Sequence, residues 1–179
     1  MSEVKITAGK IKGDYCEYSF SERTENGSQA VNISSEAIVH DDMRYAFRQL
    51  VPHLAFICDY LPVSTQLDIA MDDITKLQEE SDLHTSLSVF KVTAFKLVGS
   101  GDAQGVSITG QKKLQNGSTL NITTPAVKYE DDYQYINELR IAVDKCQSEI
   151  VQYSDGKKAP DAQLEMFGDN DDMFEGEDL

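Results

Sequence analysis

His40-Asp41-Asp42 is the first cluster in the chain with the residue types of a metal site. Metal-assisted phosphate hydrolysis from such a triplet needs further His and Asp ligands at set places on other helices. His53 and His84 supply no such pattern. Acids are also what a helix start favours, because its orphan N–H groups and its dipole attract anions. The triplet is therefore read as a helix N-terminus. Asp72-Asp73 and Asp131-Asp132 are neighbours in sequence and diverge on a helix, so neither forms a general acid/base pair. There is no Gly-x-Gly-x-x-Gly, no phosphate loop ending in Gly-Lys-Ser and no nucleophile elbow. Gly99-Ser100-Gly101 joins two predicted strands and reads as a turn. The expectation is a protein that is not an enzyme, with no cofactor and no metal.

The residues with a different chemistry to offer are cations. The formal net charge is −15, which taken alone opposes binding to a polyanion. Its distribution matters more. From Asp161 onward there are eight acids and no base. The predicted strands carry Lys5, Lys10, Lys12, Arg23, Lys91, Lys96, Lys112, Lys113 and Lys128, against Glu17 and Glu22. A cationic sheet in an acidic protein suits a phosphate backbone, with Tyr18, Phe20, Phe90 and Phe95 as candidates for base stacking. The plainer alternative makes the lysines guards against edge-to-edge pairing and the aromatics core.

These residues need elements to hold them. Val4 to Lys12, Tyr15 to Arg23 and Gln29 to Ser34 read as strands, with Asn26-Gly27 a turn signal before the third. Met43, Phe47, Leu50, Leu54, Ile57 and Leu61 make one apolar stripe from Asp41 or Asp42 onward, kinked by Pro52. Pro62 to Ser88 is acidic and reads as a long loop with one helical stretch. Val89 to Val98, Val106 to Leu114 and Thr119 to Lys128 form a meander. Val106, Ile108, Leu120 and Ile122 lie on its dry face, and Ser107, Thr109, Gln111, Asn121 and Thr123 on its wet face. Ile136, Leu139, Val143, Cys146, Ile150 and Tyr153 define a helix over Glu130 to Tyr153, stopped by Asp155-Gly156. The expected fold is α+β, an antiparallel arrangement of about six strands in the order β-β-β-α-β-β-β-α. That order hints at two similar halves.

The 179 residues suit one domain, 1–156, plus an acidic tail, 157–179, too polar to order itself. Cys16, Cys58 and Cys146 are far apart and odd in number, which argues against a disulfide framework or zinc knuckle. No apolar run spans a bilayer, and Met-Ser-Glu-Val-Lys does not open a signal peptide, so a cytoplasmic protein is expected.

Gln163-Leu164-Glu165-Met166-Phe167 resembles the pentapeptide with which bacterial polymerases and repair proteins bind the sliding clamp. The resemblance implies a polar site for Gln163 and an apolar pocket for Leu164, Met166 and Phe167. Glu165 and Met166 depart mildly from the usual Ser or Asp and Leu. The acidic end, Asp169 to Glu175 with Phe174, is similar in character to the tips of single-strand-binding proteins, which recruit partners and compete with DNA. It lacks their usual terminal Pro-Phe or Phe. The alternatives are a tail that folds back onto the body and one that only solubilises. Gly99 to Asp102, Thr119 to Pro125 and the tail also resemble small uncharacterised phage and prophage proteins, a group that implies no settled activity.

The expected function is a single-stranded DNA-binding or replication accessory protein, phage-encoded and acting in a bacterial cell. It would dock on a sliding clamp or another replication protein through Gln163, Leu164, Met166, Phe167 and Phe174. The alternative is an adaptor or inhibitor of a host factor without DNA affinity. An acidic DNA mimic fits less well, since many acids lie in the tail.

Overall fold

The computed structural model describes residues 3–61 and 87–160. The acidic stretch from Pro62 and the entire docking peptide lie outside the described residues. The fold is α+β, built on one seven-stranded antiparallel sheet. Its strands are β1 Glu3–Lys12, β2 Tyr15–Thr24, β3 Gly27–Ser34, β4 Phe90–Val98, β5 Gly105–Lys113, β6 Thr119–Thr123 and β7 Val127–Lys128. The spatial order is β3-β2-β1-β4-β5-β6, with β7 also paired to β5. Two meanders thus meet back to back at β1 and β4.

The strand expected over Thr119 to Lys128 breaks in two. Pro125 has no N–H to give to a ladder. Before it, the Thr124 N–H still donates to the Ile108 carbonyl at 2.9 Å, but its hydroxyl takes the place of its carbonyl and accepts from the Ile108 N–H at 3.0 Å. The first helix also breaks rather than kinks, into α1 Asp41–Arg48 and α2 Val51–Ile57, with Pro52 in the opening turn of α2. Proline is tolerated there because the first N–H groups have no helical partner. The last helix, α3, spans Ile136–Ser154 and starts later than the periodicity predicts. The Asp131 carboxylate accepts from the Lys128 N–H at 2.8 Å, forming a local turn instead of a first helical turn. Tyr135 is fully buried against Phe56, and the Tyr133 hydroxyl meets His53 Nδ1 at 2.9 Å. Those anchors set the entry into α3.

All three helices pack on one face of the sheet. Phe47, Leu50, Leu54, Leu139, Val143 and Ile150 meet Ile6, Val92, Phe95, Val106 and Ile108 in one core. Burying a side chain of that size contributes about 1.5–3 kcal/mol. Among the described residues, no helix is long and apolar enough to cross a membrane.

The two halves match at the level of residues. Lys5-Ile6-Thr7-Ala8-Gly9-Lys10-Ile11 in β1 corresponds to Lys91-Val92-Thr93-Ala94-Phe95-Lys96-Leu97 in β4, with four identities and two conservative changes. Both strands carry a bulge at the same place, Thr7 and Thr93. Both bulged hydroxyls donate to the neighbouring strand at 3.3 Å, Thr7 to the Ser19 carbonyl and Thr93 to the Thr109 carbonyl. The turn residues repeat too, as Asn26-Gly27-Ser28 and Asn116-Gly117-Ser118. In the β1–β4 ladder Gly9 pairs with Phe95, Ala8 with Lys96 and Lys10 with Ala94. Each of these residues therefore faces a residue of the matching heptad, and Gly9 faces its own equivalent. A pseudo-two-fold axis runs through that pair, perpendicular to the sheet.

Candidate nucleic-acid interface

Strand alternation sends Gly9 and Ile11 toward the helices and Lys10 and Lys12 to the opposite face. The same alternation puts Lys91 and Lys96 of β4, Lys113 of β5 and Arg23 of β2 on that outer face. No described helix covers it. Across its middle runs a shallow trough of about 580 Å³, floored by Ala8, Ala94, Ser19, Ser107 and Thr109 and flanked by Lys10 and Lys96. The polar ladder foreseen for the second meander is present. Thr109 and Thr123 hydroxyls lie 3.2 Å apart, and Gln111 donates to Asn121 at 3.1 Å. The first meander repeats it, with Ser19 donating to Asn32.

Two acids stand on outer-face positions of the described strands: Glu3, opposite Arg23 in the register, and Glu17, opposite Lys10, whose carboxylate lies 3.8 Å from the Lys12 ammonium. Among the described residues, Lys10, Arg23, Lys91, Lys96 and Lys113 form no ion pair. These cations sit mainly on interior strands. The edge strands β3 and β6 carry no charged residue, and the two-residue β7 beside β6 carries Lys128 alone. Guarding the edges is therefore not what the lysines do, since that task places charge on the outermost strands.

Not every expected residue belongs to this face. Tyr18 is buried and packs edge-on against Tyr153, with ring centroids 6.4 Å apart. Phe20 packs against the same core, as do Phe90 and Phe95. All four share parity with residues under the helices, so none offers a ring to a base. Lys112 also points to the helix side, where its ammonium lies 4.3 Å from the Tyr60 ring centre. Lys5 is drawn away by Gln104, to which it donates at 3.0 Å. It lines a separate cleft with Tyr129, Arg140 and Asp144. Lys10, Lys12, Lys91, Lys96 and Lys113 remain on one face, with Arg23 on the same face at the far end of β2, opposite Glu3. The docking residues Gln163, Leu164, Met166, Phe167 and Phe174 lie outside the described residues.

The acidic triplet at His40 is a helix start. His40 Nδ1 accepts from the Asp42 N–H at 3.1 Å, capping α1. The Asp42 carboxylate pairs with Lys157 at 2.7 Å, and the bond from that ammonium holds its pKa below the usual range. His53 is fully buried, and desolvation lowers its pKa from 6.5 to about 3, so the ring is neutral. Burial raises the Cys146 thiol far above its usual range. Among the described residues, no cluster of His, Cys, Asp and Glu suits a metal ion.

A second hollow, of about 460 Å³, opens on the helix side between α1 and β4. Phe47, Val51, Leu87, Phe90 and Val92 make it apolar. One wall ends at Leu87, where the described chain resumes.

No protein-family model matches this chain, and neither the curated proteins nor the solved structures provide a match.

Proposed function

We propose that this is a nucleic-acid-binding accessory protein of DNA replication. Its uncovered sheet face meets the phosphate backbone, and its tail docks on replication machinery. The observation that carries this reading is the segregation of charge on the sheet. Lys10, Lys12, Arg23, Lys91, Lys96 and Lys113 share one face with two acids at strand positions, Glu3 and Glu17, in a chain of net charge −15. Cations that neutralise phosphates gain affinity by releasing counterions, with no need to read bases. Small residues along the floor allow a backbone to approach the sheet closely.

Base stacking forms no part of this reading, because Tyr18, Phe90 and Phe95 are buried and Phe20 packs half-buried against the core. The docking half rests on Gln163-Leu164-Glu165-Met166-Phe167 alone. Fluorescence anisotropy of labelled oligonucleotides at low salt tests the sheet half. Binding should weaken steeply as salt rises and should drop when Lys96 becomes Glu. Absence of binding to any oligonucleotide at low salt would refute it.

A further inference from the structure

The symmetry of the cationic face bears on which nucleic acid it fits, an inference that rests on the reading just given. We propose that the face binds duplex DNA, with Lys10 and Lys96 contacting phosphates of opposite strands about the pseudo-two-fold axis. The two strands of a duplex run antiparallel and are related by dyads perpendicular to the helix axis. A single strand has no such dyad. Here the axis passes between Gly9 and Phe95 and emerges on the outer face between Lys10 and Lys96, which are equivalents in the repeat. One lysine thus meets one backbone and its equivalent meets the other, each with the same polarity relative to its strand.

The spacing agrees. Lys10 faces Ala94 and Lys96 faces Ala8, so the two lysines are diagonal neighbours. Such Cα atoms lie about 7–8 Å apart. Flexible four-carbon stems then place the ammonium groups on either side of a minor groove about 6 Å wide. Ala8 and Ala94, also equivalents, leave the centre low.

Chemistry points the same way. Proteins that hold single strands without sequence preference stack bases on aromatic rings, for about 1–3 kcal/mol per base. Tyr18 and Phe20 are packed under the sheet, and among the described strand residues Tyr15, opposite Lys12, is the one exposed ring this face offers a single strand.

The test uses the full chain, with anisotropy titrations of a short mixed-sequence DNA duplex and of one of its separated strands, across a salt series. The duplex should bind more tightly. Lys10→Ala and Lys96→Ala should each weaken duplex binding by a similar factor. Each should also reduce the logarithmic salt slope by about 1, and the double variant by about 2. Lys10→Arg and Lys96→Arg should retain binding, and thermal melts should show every variant folded. A single strand that binds as tightly as the duplex, or one lysine that proves inert while the other matters, overturns this inference and leaves the backbone reading standing. Failure of both nucleic acids to bind overturns both.

Discussion

Phe95 is at once the cross-strand partner of Gly9 and its equivalent in the internal repeat. Its ring fills the space on the pseudo-two-fold axis for both halves. A Cβ on Gly9 would stand 2.4 Å from Ile150 Cδ1 and 2.9 Å from the Phe95 ring. Gly9→Ala should therefore overpack the centre of the core and cost about 1–3 kcal/mol. Urea unfolding measures the loss. Shrinking the ring by Phe95→Leu in the same chain should recover part of it, and strictly additive effects would show that the two sites do not share the space.

His53 makes stability depend on pH with a definite sign. Its folded pKa is lowered from 6.5 to about 3 by burial, so between those values the unfolded chain binds a proton that the folded chain does not. Stability from this group is complete above pH 6.5 and is lost as pH falls, with a slope of about 1.4 kcal/mol per pH unit inside the window. His53→Gln should flatten the profile there relative to the parent chain. Parallel profiles would contradict the assignment.

Lys112 separates folding from binding. Its ammonium caps the Tyr60 and Phe90 rings at 4.3 and 5.5 Å, on the side away from the trough. Lys112→Ala should cost about 0.5–1 kcal/mol of stability. It should leave nucleic-acid affinity unchanged, whereas Lys96→Ala should do the reverse. Loss of affinity in Lys112→Ala would place the contact surface elsewhere.

Removal of the tail after Pro160 should tighten binding to nucleic acid at low salt, because eight acids and no base go with it. The body should stay folded, since Ala159 is buried and its N–H donates to the Ile38 carbonyl at 3.0 Å. The gain should fade as salt rises and screening shortens the reach of the tail's charge. Equal affinity with and without the tail would deny any competition for the sheet.

Leu164→Ala with Phe167→Ala should abolish co-purification with a bacterial sliding clamp from nuclease-treated lysate. Survival of the complex would dismiss the pentapeptide as the docking element.

Much of the fold was legible because alternation and helical periodicity were clean. Lys112 shares parity with Ile108 and Val106, so its turn toward the helices was already written in the strand. The position of Tyr18 and Phe20 was harder. Parity separates two faces without telling which one the helices cover. Bulges at Thr7 and Thr93 further shift parity within β1 and β4, so Lys5 and Lys10 cannot be phased together from spacing alone. The order of elements hints at two halves, but the residue match is confined to one short strand and a turn, too little to stand out from the sequence around it. The breaks at Gln49-Leu50 and Thr124-Pro125 were marked by proline. The late start of α3 was not, because it depends on Tyr133 and Tyr135 finding partners distant in sequence.

The match between β1 and β4 has a consequence for how such a chain can diversify. Two separate copies of a β-β-β-α unit, joined through their first strands, would rebuild the same layer. As a homodimer they would be bound to repeat whatever residue stood at the centre, ring against ring or hydrogen against hydrogen. Carried on a single polypeptide, the two positions are free to differ. An aromatic on one side and a bare backbone on the other is a solution open to a covalently fused pair and closed to a homodimer.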